Sequence, residues 1–138
     1  MKNIVNLKTF LDEKAEYYEF PGFIENDPIL IPHRFAKKED IEIAGFLTSV
    51  FAWGKRITII NNATLSMNWM DNAPYDFIIN HQPAELKKFQ KFVHRTFNND
   101  DLLFFIERLK QIYTTQNGLE FVFSRRFEKS GGDLKGAI

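Results

Sequence analysis

The chain has no cysteine, which excludes disulfide staples, thiol nucleophiles and thiolate metal sites; a reducing compartment fits that absence. It also lacks an excess of either charge. Eighteen basic residues stand against eighteen acidic ones, so no overall field draws the protein to nucleic acid or an anionic membrane, and any polyanion site must be a local patch. Long apolar runs are missing too. The uncharged stretch Ile43 to Gly54 falls short of the ~20 residues that span a bilayer. Near the amino terminus, charges at Lys2, Lys8, Asp12 and Glu13 interrupt any signal-peptide core. No membrane association is expected, and the cytoplasm is the simplest address. What the chain does have is aromatic bulk: fifteen phenylalanines, four tyrosines and two tryptophans. In 138 residues that is ample material for one core, and a single domain is the expectation.

Hydrophobic spacing predicts helices throughout. Leu7, Leu11, Ala15 and Tyr18 recur at helical intervals after a candidate cap at Asn6, and Pro21-Gly22 closes that segment. Residues 20–38, with Pro21, Pro28 and Pro32, read as an extended, ordered loop whose Phe23, Ile29, Leu30 and Ile31 pin it to the core. Glu39, Asp40 and Glu42 suit the positive end of a helix dipole. The helix they open, with Ile41, Ile43, Ala44, Phe46, Leu47, Val50 and Phe51, is apolar nearly all round and belongs at the centre. Gly45 within it implies a close helix neighbour. Gly54 ends it, and Lys55-Arg56 open the next helix, with Ile57, Ile60, Met67 and Met70 as its stripe.

Asn72 is a candidate cap for a short helix with Pro74 in its first turn. From Pro83 a further helix would turn Leu86, Phe89 and Val93 inward and set Lys87, Lys91 and His94 on the other side. Asn98 or Asn99 should cap a strong helix carrying Leu102, Phe105, Ile106, Leu109, Ile112 and Tyr113, stopped by Asn117-Gly118. The last, Leu119 to Lys129, should bury Leu119, Val122, Phe123 and Phe127. No run alternates as a strand would, so a sheet is not expected. Residues 130–138 read as a loop or truncated end. The expected architecture is all-α: about seven helices in an orthogonal bundle.

Chemistry is thin. Trp53-Gly54-Lys55-Arg56 would set an aromatic plane beside two cations at a helix start, which suits phosphate contact with base stacking; the plain alternative is a core tryptophan and a solvated turn. Lys87, Lys88, Lys91, His94 and Arg95 would mostly share one helix face able to track a phosphate backbone, although charged faces on surface helices are ordinary. His33, His81 and His94 show no metal-pair spacing, so no metal is expected. Asp27 before Pro28 is a turn device, and Asp100-Asp101 are explained by helix capping. There is no glycine-rich phosphate loop, nucleophile elbow or HExxH sequence, and no cofactor is expected. These residues hold no complete active site.

Asp27-Pro28, His33, Asp40 to Phe46, Phe51 to Arg56, Met70 to Ile78, His94 to Asn98 and Leu119-Glu120 together resemble a family of uncharacterised bacterial proteins. Members of that family are longer than this chain, and their rear part looks like the helix-hairpin-helix DNA glycosylases. The resemblance implies that this chain is the front portion of a glycosylase-like bundle, a distant base-excision-repair relative. It also implies that Ile41 to Met70 is the hairpin lining a DNA-facing cleft, with Trp53, Gly54, Lys55 and Arg56 near nucleic acid. The glycosylases usually carry glutamine at that turn, and Trp53-Gly54 departs from it. Their hairpin motif and catalytic lysine or aspartate have no counterpart here, so catalytic groups would lie beyond Ile138. DNA is the partner this implies, and a fragment's exposed apolar face would favour a homodimer; the alternative function is a helical interaction or scaffold module without nucleic-acid binding.

Overall fold

A computed structural model describes residues 2–138. Among them run eight α-helical segments, two of a single turn, with two 3-10 segments and one two-stranded ribbon. The all-α expectation holds. Helix α1 (Lys2–Tyr18) begins earlier than its spacing suggests, so Asn6 lies inside it and caps nothing. Its stripe of Leu7, Phe10 and Leu11 stays more than half exposed; Tyr18 meets Phe23 edge-on, ring centroids 5.3 Å apart. The proline-rich segment is not extended. Pro21 starts a 3-10 stretch, Pro21–Asn26, because its fixed φ suits a first helical turn. A one-turn α2 (Leu30–His33) follows, started by Asp27, whose carboxylate accepts the Ile29 N–H at 3.0 Å. Ile31 is the residue that pins this segment; it is fully buried, whereas Ile29 is exposed.

Helix α3 (Lys38–Val50) runs through the interior. Ile43, Ala44, Leu47 and Phe51 are completely buried, each large side chain contributing roughly 1.5–3 kcal/mol. Gly45 faces the Pro32 ring of α2, with room for ordinary contact if a methyl were added, so the close neighbour is a side chain and not a helix backbone. Helix α4 (Arg56–Trp69) packs on it through Ile59, Ala63 and Met67, with Met70 beyond its end; of the expected stripe Met67 and Met70 are buried and Ile60 partly so, while Ile57 turns outward and Ile59 takes the inward place in the first turn. Asn72 does not cap α5 (Pro74–Asn80). Asp71 and Asn72 both take left-handed φ, and the cap comes from afar: Asp40 of α3 accepts the Tyr75 N–H at 2.9 Å.

The segment from Pro83 departs most from expectation. It forms a 3-10 stretch, Glu85–Lys91, then a minimal ribbon, β1 (Val93–His94) paired antiparallel with β2 (Phe97–Asn98). Phe92 and His94, two apart, both point inward and Val93 points out, a period of two and not of 3.6. The aromatic cluster under the ribbon explains the preference: Phe51 sits 5.1 Å from Phe92 and 5.4 Å from Phe97, centroid to centroid.

Asn98 caps α6 (Asn99–Thr115) in a full capping box with Asp101, and Leu102, Ile106 and Leu109 are buried as their spacing requires. At the α6 end Gly118 has φ +92, and a Cβ there would lie 2.9 Å from the Tyr113 ring, so only glycine fits. Helix α7 (Leu119–Lys129) buries Leu119 alone; Phe123 and Phe127 remain 38% and 40% exposed. The residues from 130 hold a one-turn helix, α8 (Leu134–Ala137), capped by Asp133, too short to cover α7.

Candidate functional site

The loop between α3 and α4 is shaped by a glycine. Gly54 has φ +118, a conformation L side chains rarely adopt, and a Cβ would come within 3.3 Å of Arg95. The turn can therefore pass directly beneath the ribbon. Trp53, 40% exposed, carries the Arg95 guanidinium over its ring at 4.9 Å, a cation–π pair at the surface. Arg95 reaches it because the ribbon turn puts that residue at φ +58.

Beneath this pair lies His94, 1% exposed. Its Nε2 is 3.0 Å from the Trp53 carbonyl oxygen, which can only accept, so Nε2 carries the proton. Nδ1 is then the acceptor for the Asn62 side-chain amide at 2.9 Å, which also donates to the Val93 carbonyl at 3.3 Å. One hydrogen-bonded line thus runs from α4 through the ribbon to the turn and fixes all three. Both imidazole nitrogens are satisfied, which is what a buried ring requires.

The remaining sequence candidates fall elsewhere. Lys55 sits at the N-cap of α4, and no side chain caps that helix start. Arg56 turns toward the proline-rich segment, 3.8 Å from Asp27 and 6.0 Å from the Phe23 ring. The single face expected for Lys87, Lys91, His94 and Arg95 does not form, because a 3-10 stretch and a ribbon replace the helix. Lys87 and Lys91 are exposed, Lys88 reaches Asp71 at 3.3 Å, and His94 is internal. The structure therefore unites Trp53, Gly54, His94 and Arg95, and leaves Lys87 and Lys91 on the preceding stretch. Asn62 carries no signal in the sequence; an asparagine nearly two turns inside a helix gives none by itself.

The other histidines are apart. His81 directs Nδ1 at the Phe77 and Ile78 carbonyls, 3.0 and 3.1 Å away, closing α5, and His33 is exposed. Among the described residues no group of three histidines, aspartates or glutamates could hold a metal, and no helix is long and apolar enough to cross a membrane.

A second feature is larger. Between α3, α7 and α8 lies an open apolar groove of about 740 Å³, lined by Phe46, Phe123, Phe127, Leu134 and Ile138. Polar links tie α3 to α6 and α7: the Tyr113 hydroxyl donates to Glu42 at 2.6 Å, and Lys38 bridges to Glu120. Burial and that hydrogen bond to the carboxylate hold the Tyr113 hydroxyl above its ordinary range. The Glu120 carboxylate likewise raises Lys38.

No curated protein and no solved structure matches the chain. A family model described as a protein of unknown function, DUF2400, matches residues 27–138, taking in the proline-rich segment, the Trp53 turn, the ribbon and the groove, and the chain belongs to that family.

Proposed function

We propose that the protein binds nucleic acid through the Trp53 turn, as the front part of a DNA-repair-related protein distantly similar to the helix-hairpin-helix glycosylases, with any catalytic groups beyond Ile138. The observation that carries this reading is the exposed Trp53–Arg95 stack held on the buried Asn62–His94 line. A tryptophan braced from below, with Arg95 over its ring and Lys55 two residues on in the same turn, can offer aromatic surface to a base while the cations meet phosphate. The uncapped start of α4 adds N–H groups to the same rim. Arg56, turned toward Asp27, contributes less than its sequence position suggests.

The test is duplex DNA binding across salt concentrations. Trp53→Ala with Lys55→Ala and Arg95→Ala should weaken binding by tenfold or more and flatten its salt dependence by about two charges. Unchanged affinity would remove the site. The second reading, an interaction module that pairs with another copy and binds no nucleic acid, is favoured by the apolar groove beside α7. Absence of DNA binding together with a concentration-dependent dimer in sedimentation would decide for it.

A further inference from the structure

The far side of α7 carries a different chemistry from its groove side. At 3.6 residues per turn, Arg125, Arg126 and Lys129 fall within about 100° of one another, away from Phe123 and Phe127. They line a cavity of about 310 Å³ at the junction of α6 and α7, together with Phe121 and the side chains of Gln116 and Asn117. No carboxylate lines it, and none of the three cations has an ion-pair partner among the described residues. The cavity beside His81 is the contrast, since its Lys110 is matched by Asp100 and Glu107. In a chain with equal numbers of acids and bases, a groove with three unopposed cations is a local departure from neutrality. Complementing the helix dipole accounts for a cation in the last turn; it does not account for a concavity free of acids.

We propose that this groove holds the phosphate backbone of a nucleic-acid strand, with Phe121, 45% exposed, as a stacking surface for a base. Unpaired guanidinium and ammonium groups meet phosphate oxygens without first breaking an ion pair. Arginine offers them a planar fork of donors, and the amides of Gln116 and Asn117 add uncharged donors beside it. The recess favours a strand over a lipid surface, because a strand can enter a groove whereas a bilayer meets what protrudes. This surface extends the nucleic-acid reading given above and rests on different residues from the Trp53 turn.

The experiment measures binding of a labelled oligothymidine by the whole chain from about 50 to about 200 mM salt, alongside vesicles containing phosphatidylserine. Arg125→Ala with Arg126→Ala and Lys129→Ala should abolish most of the binding and reduce the slope of log affinity against log salt by about 2. Arg125→Lys with Arg126→Lys should keep that slope, and Phe121→Ala should cost about tenfold at every salt concentration. All four positions are exposed, and an unchanged melting curve checks that each variant folds. Binding that is indifferent to the α7 variants and lost in Trp53→Ala overturns this inference and leaves the Trp53 reading standing. Binding lost in the α7 variants and kept in Trp53→Ala does the reverse. Vesicle binding without oligonucleotide binding overturns it in favour of a lipid surface, and no binding of either probe overturns it outright, the Trp53 reading standing or falling on its own duplex test.

Discussion

Helices α6 and α7 follow one another, carry the same kinds of apolar residue at the same spacing, and meet opposite fates. On α6, Leu102, Ile106 and Leu109 are sealed inside. On α7, Phe121, Phe123 and Phe127 stay open and border grooves on two sides. The difference lies in the neighbours. Helix α6 is enclosed by α5, the Glu85–Lys91 stretch and the ribbon, whereas α7 meets only the ends of α3 and α6 and the single turn of α8 among the described elements it packs against most. Periodicity states which face of a helix is apolar; it does not state what lies across from that face.

Three measurements would break or sharpen this contrast. The largest effect is expected at the interior: Leu109→Ala should cost about 3 kcal/mol in urea unfolding, while Phe127→Ala should cost well under that, about 0.5 kcal/mol. Equal losses would mean that α7 is packed in solution. Next is the link between the two regions. Tyr113 titrates above its unfolded range through burial and its bond to Glu42. Its contribution is therefore complete below about pH 10 and lost as pH rises beyond. Tyr113→Phe should lower stability at neutral pH by about 1 kcal/mol, screening at this partly buried site included, and should remove that part of the alkaline decline in melting temperature. The smallest change tests a flaw in the packed region. Thr48 Oγ1 is buried with no hydrogen-bond partner, so Thr48→Val should be neutral or stabilise by up to about 1 kcal/mol. A clear loss in its unfolding curve would show that the hydroxyl is satisfied.

Much of the architecture was readable from residues alone where local and tertiary demands agree. The capping pair Asn98 and Asp101, the stripe from Leu102 to Tyr113 and the Asn117-Gly118 stop specify α6 without help from the rest of the chain. Legibility failed where a tertiary partner overrides spacing. Leu86, Phe89 and Val93 fit a helix, and Phe89 is buried as that spacing asks, yet beyond it Phe92 and His94 replace Val93 as the inward residues, drawn by Phe51, Trp69 and the Trp53 carbonyl. Their i, i+2 relation was the available signal for a ribbon. Of the candidate site, Trp53 and Gly54 stood out because of their types. The stack of Arg95 on Trp53 and the brace from Asn62 depend on bringing together positions more than thirty residues apart, which no local pattern records.

The bond from Asp40 to the Tyr75 amide reaches further than its length. A seven-residue helix is too short to persist alone in water, and this one borrows its first turn from a carboxylate on α3. Losing α3 would remove both the floor under α5 and the acceptor that starts it. The two therefore belong to one cooperative unit of opening, and α5 has no private route to unfolding.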